Sequence, residues 1–399
     1  MQLVECVPNF SEGRDQGVIQ SIADAISCVN GVQLLHVDPN SDANRTVVTF
    51  VGEPESVGEA AFQAISRAAE LIDMRRHQGA HPRLGATDVC PFVPLAGVSL
   101  EKCVRLARRV GERVGRELAT PVYFYGAAAD PNRHRLADIR RGEYEGLPEK
   151  LAAPEWRPDC GPAEFIPMTG ATIIGSRNIL IAFNVNLNTT DQAQAREIAL
   201  AVREKGQVKR DADPADGGAD GQIVRDSSGR AVRQSGTLKA TRAMGWFMPE
   251  YGCAQVSMNL EDYRVTPPHA ALEEVRHQAR QRGLEVTGSE LAGMIPLEAM
   301  LMAGRYYLEE AGSSPLGLGV AGLDVASPAS PTASLPAGEL VATAVRAMGM
   351  STIRQFKPEE RIIEYRLRQE GGRWAEWADW LTARPAVPAA AVEVESDTS

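Results

Sequence analysis

The chain has 399 residues, of which 44% are hydrophobic and 24% are charged, so it has ample material for a globular core. Its net charge of −10 argues against nucleic acid as the main partner, because proteins that bind nucleic acid present basic surfaces. Every apolar run is shorter than the ~20 residues of a membrane helix, and Glu5 and Pro8 interrupt the pattern of a secretory signal. These features predict a cytoplasmic protein whose partners are neither membranes nor nucleic acids.

The cysteines are scattered along the chain and form no CxxC pair. Thiols spaced in this way fit a reducing compartment, where they behave as small buried hydrophobic residues. The pattern excludes a disulfide framework and argues against a zinc site built from cysteine. The cysteines occupy positions 6, 28, 90, 103, 160 and 253.

Hydrophobic periodicity predicts the order strand, helix, strand, strand, helix, strand in the first part of the chain. These elements span residues 2–7, 15–29, 32–38, 45–52, 56–73 and 88–93. A helix at 99–118 and a strand at 121–125 follow, and a loop rich in proline and glycine then runs to about residue 171.

The same order recurs in the second part of the chain. Its elements span residues 179–187, 191–204, 237–247, 252–260, 268–282 and 284–287. We therefore predict an α+β fold with two subdomains, each βαββαβ-like, with helices packed on one face of a mostly antiparallel sheet.

The predicted subdomains span residues 1–178 and 179–366. The second carries two insertions: residues 207–235, which are polar and include a predicted hairpin at QIVR-DSSG-RAVR, and residues 312–337, which are rich in Gly, Ser and Pro. Residues 367–399 are expected to form a short helix and a disordered tail.

The richest motif is HQGAHPRLGATDVCPFVP, residues 77–94, a loop between a predicted helix and a predicted strand. Loops of this kind carry function because a rigid scaffold positions them. His81 precedes Pro82, which restricts its backbone to extended conformations and suits a side chain that must be aimed. The alternative is a loop whose histidines cap neighbouring elements.

His77 and His81 have the spacing of a zinc-binding HExxH helix. The match fails because residue 78 is Gln, which removes the general base, and because Gly79 and Pro82 oppose a helix. We therefore expect no metal at this loop.

Many strings in the chain resemble glutamate formimidoyltransferase, which in animals is the N-terminal part of formimidoyltransferase-cyclodeaminase. The resemblance runs from about residue 2 to residue 366. It is carried by ECVPNFSEGR, NRTVVTFVG, HPRLGATDVCPFVP, GEYEGLP, FIPMTGATIIGSRNILIAFNVNL, GTLKATRAMGW, AQVSMNL, TGSELAGMIPLEAM and FKPEERIIEY.

The resemblance implies two α/β subdomains with a folate-binding cleft between them. It also implies transfer of the formimino group of N-formimidoyl-L-glutamate to N5 of tetrahydrofolate, a co-substrate, without a metal. The catalytic histidine of the family precedes Pro-Arg, which makes His81 the general base. The folate-contacting segment corresponds to Gly161, Pro162, Ala163, Glu164, Phe165, Ile166, Pro167, Met168, Thr169 and Gly170.

Charge complementarity suggests further roles. Asp38 ends a predicted strand and is a candidate to orient the imidazole or hold the amidinium charge, with a turn-stabilising role as the alternative. Arg45 and Arg83 are candidates to receive carboxylates, for which the guanidinium fork is suited. We also expect a homodimer, by family precedent, and a separate cyclodeaminase that acts on the product.

Three other functions remain open at this stage. The donor could carry a formyl group, since formyl and formimino differ by O versus NH at one carbon. A metal-dependent hydrolase of formiminoglutamate would need several Asp and His ligands on successive loops. A non-catalytic folate-binding protein would bind folate without turnover.

Overall fold

A computed structural model describes residues 2–130, 135–211, 221–313 and 335–369. The chain forms two compact units. Unit 1 comprises Met1–Leu180 with Met248–Gly252 and Ala292–Met294, and unit 2 comprises Ile181–Phe247, Cys253–Leu291 and Ile295–Ser399. The boundary predicted at 178/179 lies two residues before this change of unit. Most of the 312–337 insertion, and residues 370–399 of the predicted helix and tail, lie outside the described residues.

Unit 1 is built on one mixed sheet. Its strands are β1 (Leu3–Cys6), β2 (Asn9–Phe10), β3 (Val32–Asn40), β4 (Arg45–Gly52), β5 (Thr87–Ala96), β6 (Val122–Gly126) and β7 (Thr172–Ser176). β3 pairs with β4, and β1 and β2 lie between β4 and β5, all antiparallel. β7 lies between β5 and β6 and is parallel to both.

The described helices of unit 1 are α1 (Gln16–Ser27), α2 (Pro54–Leu71), α3 (Leu100–Glu117), α4 (Leu136–Ile139) and α5 (Leu147–Ala152). Asp15 and Ser99 cap α1 and α3, because each side chain accepts backbone N–H groups of the first turn. The apolar stripe predicted for the second helix is buried in α2, including Val57, Ala61 and Ile65. These three long helices enclose the larger core of the unit against one face of the sheet.

A smaller core covers the other face at the parallel end of the sheet. Here Leu147 and Leu151 of α5 join Tyr123 of β6 and Ile173 of β7. α4, α5 and β7 fall within or just after the segment for which the sequence predicted only a loop. Helices therefore pack on both faces of this end of the sheet, whereas the sequence predicted helices on one face.

Unit 2 repeats the predicted order. Its described elements are β8 (Ile181–Leu187), α6 (Gln192–Val202), β9 (Gln207–Val208), β10 (Arg233–Gln234), β11 (Thr241–Met248), β12 (Cys253–Leu260), α7 (Pro268–Arg280), β13 (Val286–Ala292), α8 (Leu297–Ser313), α9 (Ala337–Ala347), α10 (Pro358–Arg361) and α11 (Ile363–Gln369). The four-stranded sheet has the order β11-β12-β8-β13. Unit 1 contains the equivalent order β3-β4-β1-β5, which confirms the predicted α+β repeat.

The insertion at 207–235 contains the predicted hairpin. Within its described residues, the backbone N–H of Asp226 donates to the carbonyl of Arg230 at 2.8 Å, and that of Val232 donates to Val224 at 2.8 Å. β9 and β10 continue the pairing at the base of the insertion. Across the ranges that the structure describes, none of the helices is long and apolar enough to span a membrane.

Candidate active site

All the residues that the sequence singled out for chemistry lie in unit 1. His81 lies in the loop between α2 and β5 and is partly buried. Its Nδ1 is 2.7 Å from the carbonyl oxygen of Pro82. A carbonyl can only accept, so Nδ1 carries the hydrogen, and the lone pair of the neutral ring is on Nε2. The backbone of the next residue thus fixes both the tautomer and the orientation of the imidazole.

The imidazole is held in its neutral form. Desolvation, followed by the positive charges of Arg45 and Arg140, lowers the pKa of His81 from 6.5 to about 3, and the carboxylate of Asp88 opposes them. The imidazole therefore departs strongly from the reference pKa near ~6.5 of an unperturbed histidine. At neutral pH the ring can accept a proton, but it holds that proton weakly until the surrounding charge changes.

Asp88 is the centre of a buried charge cluster. Its side chain is 0% exposed, and its Oδ2 accepts from Nη1 of Arg45 and from Nη2 of Arg140, each at 2.5 Å. Its Oδ1 accepts the backbone N–H of Leu84 at 3.0 Å. Although burial raises the pKa of Asp88, the two guanidinium groups outweigh it and hold that pKa well below its usual range. The carboxylate is therefore charged throughout the physiological range.

A β-bulge determines the direction of the Asp88 side chain. Asn9 of β2 pairs with Val89 of β5 and Phe10 pairs with Thr87, so Asp88 has no partner in the register. Bulges of this kind occur next to active sites and redirect a side chain out of the regular alternation of the strand. The start of β5 thus places Asp88 where it contacts Arg45 of β4 and Arg140, which follows α4.

Arg83 is held by acidic residues. Its Nη1 and Nη2 donate to the two carboxylate oxygens of Glu145 at 2.8 and 2.6 Å, and Nη1 also lies 3.3 Å from Glu143. Its Nε donates to Nδ1 of His77 at 3.1 Å. The carboxylate-binding role predicted for Arg83 remains a prediction, but in this structure a protein carboxylate already occupies the fork of the guanidinium.

His77 is a structural partner of this arrangement. Because its Nδ1 accepts from Arg83, its Nε2 carries the hydrogen and donates to the carbonyl of Asn44 at 2.8 Å. Asn44 has a positive φ of 45°, and its side chain accepts from Gly13 and donates to Gln78. Asn44 thus connects the start of the His81 loop to the segment before α1.

Asp38 lies on β3, where it pairs with Val47 of β4. Its Oδ2 accepts the backbone N–H of Gly293 at 2.9 Å, within unit 1. Asp88 is the carboxylate whose charge acts most strongly on His81. The orienting role of Asp38 remains a prediction.

The predicted folate segment lies directly beside the His81 loop. The backbone N–H of Ala86 donates to Thr169 at 2.8 Å, and that of Met74 donates to Met168 at 2.9 Å. Gly85 and Gly170 form a bridge, and a Cβ on Gly85 would lie 2.4 Å from the carbonyl oxygen of Thr169. Only glycine permits this approach, so the two motifs are brought together by backbone contacts.

Half of the residues in the predicted folate segment are exposed. Gly161, Ala163, Glu164, Pro167 and Met168 are exposed. The Oγ1 atom of Thr169 is buried and finds no hydrogen-bond partner among the described residues. A hydroxyl in this state is a candidate to bind a polar group of a ligand.

No group of three His, Cys, Asp or Glu side chains that could hold a metal ion occurs within the described parts of the chain. Sequence reasoning missed the roles of Asp88, Arg140 and Asn44. Asp88 is the first residue of the predicted strand 88–93, and only the pairing register reveals the bulge. Arg140 lies 52 residues away, in a segment predicted as loop, where no local pattern marks it.

Two sequence models of known domains match consecutive parts of the chain. A sequence model of the formiminotransferase domain, N-terminal subdomain, matches residues 3–177, and a model of the formiminotransferase domain matches residues 182–316. The chain is 44% identical over 371 residues to formimidoyltransferase-cyclodeaminase of Rattus norvegicus, which covers 93% of this chain. It spans only 61% of the length of that relative.

Two shorter relatives align over almost their whole length. Glutamate formimidoyltransferase of Thermoplasma acidophilum is 43% identical over 312 residues, covering 77% of this chain and 93% of the relative. Glutamate formimidoyltransferase of Streptococcus pyogenes serotype M1 is 38% identical over 309 residues, covering 77% and 94%. Two consecutive domain matches and relatives aligned nearly end to end lead to one conclusion: the chain belongs to the formiminotransferase family.

Proposed function

We propose that this protein transfers the formimino group of N-formimidoyl-L-glutamate to N5 of tetrahydrofolate, giving 5-formimidotetrahydrofolate and glutamate. One observation carries the proposal. The His81 loop and the predicted folate segment, residues 161–170, are joined by backbone hydrogen bonds within one compact unit. The residue proposed as proton acceptor and the segment proposed to bind folate therefore belong to neighbouring loops, in a chain whose relatives include enzymes named glutamate formimidoyltransferase.

The proposed chemistry begins with attack of N5 on the amidinium carbon of the donor, which forms the new N–C bond. This attack makes N5 acidic, and Nε2 of His81 removes its proton. The C–N bond to the glutamate nitrogen then breaks, its electron pair leaves with that nitrogen, and the proton is returned there. General base catalysis of this kind contributes typically ~10²–10⁴-fold. Orientation of both substrates at one site adds to it.

The remaining residues support this chemistry in the proposal. Thr169 and its exposed neighbours would bind the folate, and Asp38 would orient the imidazole or hold the amidinium charge. Arg45 and Arg83 would act near the donor, although both already contact protein carboxylates. A metal has no role in the proposed transfer.

The cellular context is part of the same proposal. The reaction belongs to histidine degradation and one-carbon metabolism, and we place it in the cytoplasm. The partners are small molecules, a second copy of the chain in a homodimer, and a separate cyclodeaminase that removes ammonia from the product.

An absorbance assay for the folate amidine tests the proposal. Formiminoglutamate and tetrahydrofolate are supplied together, each is omitted in turn, and EDTA is added in a parallel reaction. We expect the amidine only when both substrates are present, at a rate that EDTA leaves unchanged. Glutamate release without folate that EDTA abolishes would instead identify a metal-dependent hydrolase.

Two further arms separate the other candidates. A formyl donor compared with the formimino donor at equal folate concentration distinguishes a formyltransferase. Folate binding without turnover of either donor would identify a non-catalytic folate-binding protein, and would contradict the proposed transfer.

A further inference from the structure

We propose that Arg140 and Arg45, joined through Asp88, bind a carboxylate of the formimino donor beside His81. The inference rests on the proposed function and deepens it, because it assigns Arg140 a role in substrate specificity. It also gives Asp88 a positioning role, since Asp88 acts on the substrate only through the two arginines.

The cluster holds both guanidinium groups in fixed orientations. Arg140 binds Asp88 through Nη2 and Nε, and Arg45 binds it through Nη1 while its Nε donates to Asn9 at 3.0 Å. Both arginines contact the same carboxylate oxygen. Their positions are therefore coupled and set in advance of ligand binding, which reduces the entropic cost of recognition.

Each guanidinium keeps one terminal nitrogen for a ligand. Nη1 of Arg140 and Nη2 of Arg45 donate no hydrogen bond to any residue that the structure describes. The side chain of Arg140 is 15% exposed and that of Arg45 is 9% exposed, whereas Asp88 is fully buried. The carboxylate is thus more buried than either arginine, and the remaining N–H groups of the two guanidinium groups are the donors that the proposal assigns to the ligand.

The charge of the cluster favours an anion. Two guanidinium groups and one carboxylate leave a net charge of +1 in a largely desolvated position, where a second carboxylate is attracted more strongly than at an open surface. Arg83 is less suited to this role, because Glu145 and Glu143 already supply two negative charges to its one positive charge.

Carboxylate binding would also change His81. Among the described residues, the charged groups with the largest effect on the imidazole include Arg45 of β4, Arg140 after α4 and Asp88 of β5. The excess positive charge disfavours protonation of the ring, and a bound carboxylate would cancel that excess. The donor would thereby make His81 a stronger base at the moment when a proton must be removed.

Carboxylates occur both on the donor and on the glutamyl tail of the folate, and steady-state kinetics distinguish the two. Arg140→Gln and Arg140→Lys are compared with Arg141→Gln, a matched control at the next residue. The Arg141 side chain is 76% exposed and pairs with Asp138.

We expect Arg140→Gln to raise KM for formiminoglutamate by about tenfold or more, with KM for tetrahydrofolate within about twofold of the wild type. The KM of Arg140→Lys for formiminoglutamate should lie between the values of the wild type and Arg140→Gln, because lysine keeps the charge but lacks the planar guanidinium. Arg141→Gln should leave both values unchanged. A donor KM within about twofold of the wild type in Arg140→Gln, or a rise confined to the folate, would overturn the inference. If Arg140→Gln does not fold, Arg140→Lys replaces it, and a donor KM within about twofold of the wild type in that variant would overturn the inference.

A second readout does not depend on turnover. NMR titration of the His81 imidazole, with and without saturating L-glutamate, should show an upward shift of its pKa in the wild type and a smaller one in Arg140→Gln. An equal response in the two proteins counts against the inference. Absence of any turnover by the wild type would contradict the proposed function instead, so the two failures are distinguishable.

Discussion

The backbone N–H of Leu84 donates a hydrogen bond to Oδ1 of Asp88 at 3.0 Å, and this contact ties the loop that carries His81 to the start of β5. The other oxygen of the same carboxylate binds Arg45 and Arg140. One buried side chain therefore positions the loop and neutralises part of the positive charge beside the imidazole.

Asp88→Asn should lower the free energy of unfolding by about 3–5 kcal/mol at pH 7. Asparagine still accepts from Leu84, but Arg45 and Arg140 lose their common counter-charge in a buried position, which is costly. Urea denaturation measures the change. Asp138→Asn is the control, because Asp138 pairs with the exposed Arg141 and should change stability by less than about 1 kcal/mol. Equal effects of the two substitutions would show that the cluster does not stabilise the fold.

His81→Ala should keep the fold but reduce turnover at least about a hundredfold, because it removes the proposed general base. The rate is measured in the absorbance assay with saturating substrates, and circular dichroism checks the fold. A decrease of less than about threefold would remove His81 from the base role.

His81 should also affect stability in acid. Its pKa of about 3 in the folded protein lies below the 6.5 of the unfolded chain, so the unfolded state binds the proton first as pH falls. Stability attributable to the neutral ring is full above about pH 6.5 and is lost as pH falls toward 3. Between pH 8 and pH 5, the wild type should lose up to about 2 kcal/mol more than His81→Asn. Parallel pH profiles of the two proteins would contradict the lowered pKa.

Gly79→Ala tests whether turnover depends on the position of the His81 loop. A Cβ at this position would lie 2.2 Å from the carbonyl oxygen of Ala43, which belongs to the backbone and cannot turn aside. The loop must shift, and because a displacement of about 1 Å can cost ~10²-fold in rate, turnover should fall by tenfold or more. Gly338→Ala is the matched control, since its Cβ would meet no atom within 4 Å in the first turn of α9. Equal activity of the two variants would mean that the loop tolerates displacement.

The sequence predicts the architecture of this protein well where the patterns are local. The periodicity of Val57, Ala61 and Ile65 identifies α2, and the repeated βαββαβ order is confirmed by the matching strand orders of the two sheets. The parallel strand β7 was missed because its neighbours, β5 and β6, precede it along the chain. Parallel pairing between distant segments leaves no turn signal in the sequence.

The candidate site was predicted less completely. The family resemblance assigned roles to His81 and to the 161–170 segment, and backbone hydrogen bonds join the loops that carry them. Asp88 acts through a register irregularity and Arg140 through a contact 52 residues distant, so neither role can be inferred from spacing. The same limitation applies to Arg83, a candidate to receive a substrate carboxylate, since its partners Glu143 and Glu145 lie about sixty residues further along the chain.

Glu364 is a buried carboxyl of unit 2 whose protonation can be tested. Its side chain is buried, and its Oε2 accepts the backbone N–H of Leu297 at 2.7 Å. Desolvation, with a further contribution from the charge of Glu298, raises the pKa of Glu364 from 4.5 to about 7. Between these values the folded state holds a proton that the unfolded chain has released, so stability falls as pH rises.

Glu364→Gln should remove this pH dependence, because the amide oxygen can still accept from Leu297 while the charge is absent. Between pH 5 and pH 8 the wild type should lose about 2 kcal/mol of unfolding free energy that the variant retains. Urea denaturation across this range measures the difference, with the exposed Glu359→Gln as a control that should follow the wild type. If Glu364→Gln and the wild type respond to pH identically, the buried carboxyl is ionised in the folded protein as readily as in the unfolded chain.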